Sequence, residues 1–153
     1  MSNKNKVFKS IKIIYSVAYT DRVVDLDTVG FKNVQGYHLG YEDRAKGNGN
    51  QHWRFDPVLP GKNLFTLYNV DARGKKYAYF DGDATSGKAI QVSDDTPTIF
   101  EIIPKSDDAT QFIIKVPYAA LAWSLNSSTN GTLIKLATLD KTDTKQQWTF
   151  DDL

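Results

Sequence analysis

Few residues in this chain could do covalent or metal chemistry. Cysteine is absent, which excludes thiolate nucleophiles, disulfides and cysteine-ligated zinc or iron–sulfur centres. Histidine occurs twice, at His38 and His52, so a three-histidine metal site is impossible and a two-histidine site would need carboxylates. Two stretches approach known motifs and miss. Gly82-Asp83-Ala84-Thr85-Ser86-Gly87-Lys88-Ala89 has P-loop spacing, but Ala89 lacks the hydroxyl that holds magnesium, and no helix pattern follows to aim amides at a phosphate. Asp81-x-Asp83 opens like a calcium loop, but counting twelve from Asp81 reaches Val92 and not a bidentate Glu. Both read as one hairpin loop. No Ser–His pairing is suggested, and neither a metal, a cofactor nor an enzymatic activity is expected. What recurs is a motif of another kind. Asn50-Gln51-His52-Trp53-Arg54-Phe55-Asp56 and Lys145-Gln146-Gln147-Trp148-Thr149-Phe150-Asp151 both fit Gln-x-Trp-x-Phe-Asp.

The spacing of these motifs points to the elements that must hold them. The tryptophans are 148 − 53 = 95 residues apart, twice about 47, and the midpoint falls on Phe100 in Thr98-Ile99-Phe100-Glu101-Ile102. Phe65 and Phe112 are also 112 − 65 = 47 apart. A fixed period signals a repeated supersecondary unit. Three units are read, about 8–57, 62–104 and 110–153, each of about four strands, within one domain spanning 1–153. In the first unit the expected strands are Ile11–Val17, Arg22–Leu26, Val34–Leu39 and His52–Asp56. Val23, Asp25 and Asp27 should face one way, with Val24 and Leu26 facing the other. The Pro57–Pro60–Gly61 cluster and the polar stretch from Lys105 to Thr110 are joints between units. Trp53 and Trp148 are expected in the core.

Composition agrees. Val, Ile, Thr, Phe, Tyr and Trp together make 52 of 153 residues, the types that favour strands. There are 16 Asp against 2 Glu, and Asp favours turns where Glu favours helix interiors. No segment carries a sustained 3.6-residue apolar period, so almost no helix is expected. Three units of four short strands fit a closed all-β fold, the β-trefoil, in which closure removes exposed sheet edges. The period also suits propeller blades, but three blades are too few.

The 19 basic and 18 acidic residues leave a net charge of +1, which supplies no general attraction to nucleic acid or to an anionic membrane. The first nine residues, Met1 to Lys9, hold no apolar run of signal-peptide length, and no stretch approaches the roughly 20 apolar residues of a spanning helix. A cytoplasmic location without membrane insertion is therefore the expectation. The sequons at Asn126 and Asn130 are read as turn residues. The alternating Lys4, Lys6, Lys9 and Lys12 are read as solvated edge charges.

With Gln-x-Trp present twice in register, the sequence resembles the ricin-B-type β-trefoil lectins, and among them the small cysteine-free lectins of mushrooms. The resemblance is carried by Ser16-Val17-Ala18-Tyr19-Thr20-Asp21-Arg22-Val23-Val24-Asp25-Leu26, Gly36-Tyr37-His38-Leu39 and Gly49-Asn50-Gln51-His52-Trp53. In the third unit it is carried by Phe112-Ile113-Ile114-Lys115-Val116-Pro117 and Gln146-Gln147-Trp148-Thr149-Phe150. It spans essentially the whole chain and is weakest in the middle unit. It implies a non-enzymatic lectin for terminal galactose or N-acetylgalactosamine, as in lactose, N-acetyllactosamine or LacdiNAc-like termini. Its partners would be glycans of glycoproteins or glycolipids. Such lectins are often homodimers and often serve in fungal defence.

Sugar recognition needs a carboxylate for neighbouring hydroxyls, an amide that both donates and accepts, and a flat ring for the apolar sugar face. By position in the family frame, Asp25 is the carboxylate and Asn50 the amide. Tyr37 or His38 is the ring wall. The backbone around Gly40 and the side chain of Tyr41 complete the rim, and Gln51 braces the site and the Trp53 packing. In the third unit Ser124 stands at the Asp25 position and Lys145 at the Asn50 position. The second unit has Tyr79 or Asp81 near the carboxylate position and no Gln-x-Trp. One competent site is expected, in the first unit, and His38 suggests that it is acid-sensitive. A second reading is a β-trefoil protease inhibitor acting through exposed loops such as 106–110 or 82–88. The Asp25/Asn50 pair weighs against it, because an inhibitor has no use for that pair.

Overall fold

The computed structural model describes residues 11–40, 48–59, 62–71, 73, 76–106 and 110–153. The first unit supplies strands β1 (Ile11–Ser16), β2 (Arg22–Leu26), β3 (Val34–His38) and β4 (Trp53–Pro57). The second supplies β5 (Leu64–Asn69), β6 (Tyr77–Tyr79), β7 (Gln91–Ser93) and β8 (Phe100–Pro104). The third supplies β9 (Phe112–Lys115), β10 (Leu121–Ser124), β11 (Thr132–Leu133), β12 (Lys135–Thr138) and β13 (Trp148–Asp152). Helix among the described residues is confined to two three-residue 3-10 turns, Gly49–Gln51 and Thr144–Gln146.

Six strands close a barrel. The first and last strand of each unit pair antiparallel in the cycle β1–β4–β5–β8–β9–β13 and back to β1. The inner strands form three hairpins, β2–β3, β6–β7 and β10–β12. The hairpins meet at one point. Val34 N–H donates to Ile90 O at 3.1 Å, Ile90 N–H to Ile134 O at 2.9 Å, and Ile134 N–H to Val34 O at 3.0 Å. This ring of three backbone bonds joins the same position of each unit and marks the pseudo-threefold axis. Ile134 separates β11, which pairs with β3, from β12, which pairs with β10. The architecture is the expected β-trefoil.

The core lies along the axis. Trp53, Phe55, Phe65, Phe100, Trp123 and Trp148 are all buried, as are Val34, Ile90 and Ile134. Phe100 packs edge-on against Trp123 with ring centroids 5.1 Å apart, so the middle unit uses Phe where the outer units use Trp. Burying a side chain of this size stabilises the fold by roughly 1.5–3 kcal/mol. Trp53 also satisfies its indole N–H, which donates to Val24 O at 3.0 Å. The near-P-loop is the connection between the antiparallel strands β6 and β7, as expected.

One expectation is corrected. Lys12 is not a solvated edge charge. Its side chain is 4 % exposed and its Nζ pairs with the Asp152 carboxylate on the adjoining strand β13. Closure of the barrel covers the edge on which Lys12 would have been solvated. Lys4, Lys6 and Lys9 lie outside the described residues. In β2, Val23, Val24, Asp25 and Leu26 are all buried, so both faces of the strand are covered. The third unit also touches β2 at its start, where the Ser128 carbonyl accepts a bond from Arg22 Nε at 2.6 Å.

Gly36 shows how close the units come. It lies opposite Val24 on one side and Thr132 on the other. A Cβ built there would stand 2.7 Å from both terminal carbons of Leu125, a fully buried residue of the third unit. Overpacking of this kind costs typically 1–3 kcal/mol. Gly36→Ala is expected to lower the unfolding free energy by about that amount, read as a shift of the chemical denaturation midpoint. An unchanged midpoint would mean that Leu125 has room to move.

Candidate functional site

A cavity of about 650 Å³ opens on the first unit. Its walls come from β2, from β3, from the loop between them, from the 3-10 turn Gly49–Gln51, and from Arg73 of the second unit. Strand pairing sets Asp25 of β2 directly opposite Gln35 of β3. The 3-10 turn then brings two consecutive amides to the same carboxylate. Gln35 Nε2 donates to Asp25 Oδ1 at 3.0 Å, while Asn50 Nδ2 and Gln51 Nε2 each donate to Oδ2 at 2.9 Å.

The remaining valences separate the two consecutive amides. Gln51 is fully committed. Its Nε2 also donates to His38 O at 2.9 Å, and its Oε1 accepts from Gly40 N–H at 2.9 Å and from Asn48 N–H at 3.4 Å. Its amide is thus used up in bonds within the first unit. Asn50 gives its second proton to Leu26 O at 3.0 Å, which leaves its Oδ1 as an acceptor. Asp25 takes three bonds where a carboxylate has about four lone-pair directions, so it retains capacity for a hydroxyl. Gln35 keeps one N–H and its carbonyl. The floor is therefore suited to a ligand that brings hydroxyl protons.

Asp25 is 3 % exposed. Burial disfavours its charged form and outweighs the three amide bonds that favour it, pushing the carboxyl up to about 6, with Asp27 adding a smaller repulsion. Asp27 itself caps the β2–β3 loop, accepting from Lys32 and Asn33 N–H at 3.2 and 3.1 Å.

The two ring candidates lie together. Tyr37 and His38 both line the cavity, with ring centroids 4.7 Å apart at 36°. Gly40 lines it too, although its N–H is taken by the Gln51 brace. Tyr41 lies outside the described residues. Sequence reasoning missed Gln35, Val29 and Arg73. Gln35 was open to reasoning once the hairpin register is counted across from Asp25. Arg73 left no signal, because it belongs to another unit. It is held by Asp71, to which its Nε and Nη2 donate at 3.1 and 2.9 Å, and its guanidinium lies 5.3 Å over the Phe31 ring. These bonds to Arg73 hold the Asp71 carboxyl below its ordinary range.

No protein-family model matches the chain. Solved structures do. The Macrolepiota procera ricin B-like lectin, in complex with lactose, is 23% identical with a TM-score of 0.78, covering 95% of this chain and 97% of that one. The Rhizoctonia solani agglutinin is 22% identical with a TM-score of 0.72, covering 94% and 95%. The designed threefold-symmetric protein ThreeFoil is 15% identical with a TM-score of 0.73, covering 95% and 100%. By fold, the chain is a β-trefoil.

Within this trefoil the Gln-x-Trp bonds recur in the third repeat, but the residues that surround Asp25 do not. In the third repeat Gln146 Nε2 donates to Thr138 O at 2.9 Å and its Oε1 accepts from Asp140 N–H at 3.0 Å, repeating what Gln51 does with His38 O and Gly40 N–H. Aligned by strand register, however, Ser124, Lys135, Ala137 and Lys145 stand where the first repeat has Asp25, Gln35, Tyr37 and Asn50. Ser124 turns its hydroxyl to Asn126 Oδ1 at 2.6 Å. In the second repeat Tyr79 faces Gln91 in the Asp25/Gln35 position, and Asp81 is exposed beyond the strand.

The raised Asp25 carboxyl has a consequence for stability. The unfolded chain releases this proton near 3.8 and the folded chain near 6, so the neutral form favours folding and that advantage is lost as pH rises between the two. The loss is of order 3 kcal/mol at most. Asp25→Asn removes the ionisation. The variant is expected to gain stability relative to the parent as pH rises from 4 to 7, and thermal denaturation of both proteins across that range tests this. A stability difference that stays constant with pH would refute the assignment.

Proposed function

We propose that the protein is a carbohydrate-binding lectin, without enzymatic activity, whose first repeat takes terminal galactose or N-acetylgalactosamine. The observation that carries this is the Asp25 carboxylate at the cavity floor, held by three amides with bonding capacity left over, beside the Tyr37–His38 ring wall. Vicinal hydroxyls donate to Asp25 and to Asn50 Oδ1, and an apolar sugar face rests on a ring. Lactose, N-acetyllactosamine and LacdiNAc-like termini of glycoproteins or glycolipids are the proposed partners. The lactose complex of the Macrolepiota procera lectin and the sialylated galactose epitope held by the Polyporus squamosus lectin support this reading.

A single open site implies weak affinity for one sugar, so a homodimer would supply the avidity that a role in fungal defence in the cytoplasm or after ingestion requires. Residues 107–109 of the 106–110 loop lie outside the described residues, and a trypsin and papain assay run beside the sugar test separates the protease-inhibitor reading from this one.

Asp25→Ala is expected to abolish binding to immobilised galactosides on a glycan array while far-UV circular dichroism stays unchanged. A folded variant that still binds would end the proposal. In the parent protein, affinity is expected to fall as pH drops below about 6, by up to tenfold per unit, because protonation removes the charged acceptor. Affinity that is flat from pH 4.5 to 7.5 contradicts this.

A further inference from the structure

The loop between β10 and β11 belongs to the third repeat but lies on the first. Tyr19 Oη donates to Asn126 O at 3.2 Å, and Gly131 N–H donates to Gly36 O at 2.9 Å. Gly131 adopts a φ of 91°, a conformation that glycine enters without steric cost. Beside it, Asn130 makes two bonds to one residue. Its Oδ1 accepts from the backbone N–H of His38 at 2.9 Å, and its Nδ2 lies 3.0 Å from His38 Nδ1.

Together these two contacts decide a proton. A backbone N–H can only donate, so the atom facing it must be the amide oxygen, and the atom facing the ring must be the NH2 group. An NH2 group has no acceptor to offer, so His38 Nδ1 must be the unprotonated nitrogen. The proton of the neutral ring therefore sits on Nε2. Among the described residues, no bond engages Nε2.

We propose that Asn130 is a positioning residue for the first-repeat site, locking His38 as the Nε2–H tautomer so that this wall offers a hydrogen-bond donor to the ligand. The proposal rests on the lectin reading above. It also divides the labour of recognition. The floor, Asp25 and Asn50 Oδ1, accepts from hydroxyl protons. The His38 wall takes an oxygen that needs no proton of its own, of the class of an acetamido carbonyl or a sugar ring oxygen. The chemistry of one repeat's pocket is thus set by a residue of another repeat.

Asn130→Asp tests this with little change of shape. The carboxylate still accepts from His38 N–H, but it presents an acceptor to the ring and draws the proton to Nδ1. Long-range proton–nitrogen NMR, with His38→Phe to identify the signals, is expected to show Nε2–H in the parent and Nδ1–H in the variant. Affinity for N-acetylgalactosamine in calorimetric titration is expected to fall about five- to tenfold, the worth of one ordinary hydrogen bond. The melting temperature, followed in parallel, reports any general loosening, and Asn130→Gln, which is longer but keeps the amide, controls for shape. An Nδ1–H ring in the parent overturns the proposal. So does a tautomer switch that leaves sugar affinity unchanged. A parent protein that binds neither galactose nor N-acetylgalactosamine overturns the lectin reading itself, whichever nitrogen carries the proton.

Discussion

The structure depends on three backbone hydrogen bonds at its axis. Val34, Ile90 and Ile134 each give an N–H to one neighbouring repeat and take one from the other. All three are fully buried, so none of these groups can turn to water instead. A single repeat would leave both its donor and its acceptor unpaired and its apolar face open. The constraint therefore favours three repeats and acts on all of them together. It also explains why the units approach so closely that Gly36 has no space for a Cβ beside Leu125.

Around that axis, scaffold and site are separable layers. Gln51 and Gln146 make the same pair of bonds in the first and third repeats, tying a strand-end carbonyl to a loop N–H. That duty is structural and survives where no carboxylate remains. The site is superimposed on it by four substitutable positions, occupied in the first repeat by Asp25, Gln35, Tyr37 and Asn50. One of them acts against the fold. A carboxylate buried deeply enough to have its pKa raised costs stability when ionised.

The period of about 47 residues, the paired Gln-x-Trp motifs and the strand-favouring composition made the three repeats, the barrel and the aromatic core legible. Even Phe100 was recognisable as the stand-in for tryptophan, because a core position requires size and apolarity more than identity. Asp25, Asn50 and Gln51 could be brought to one cavity by their place in the frame. Lys12 could not be read correctly, since alternating lysines look alike whether a strand ends at solvent or is covered by β13.

What lies close along the chain, or recurs along it, belongs to the sequence alone: turn chemistry, strand periodicity, the absence of thiols, and the amide two residues before an indole. These follow from covalent spacing and from the preferences of single side chains. The meeting of Arg73 with the cavity, the grip of Asn130 on His38 and the elevated pKa of Asp25 arise only in the folded barrel. Each depends on which repeat faces which and on how much water is excluded between them, and neither quantity exists until the three units have closed.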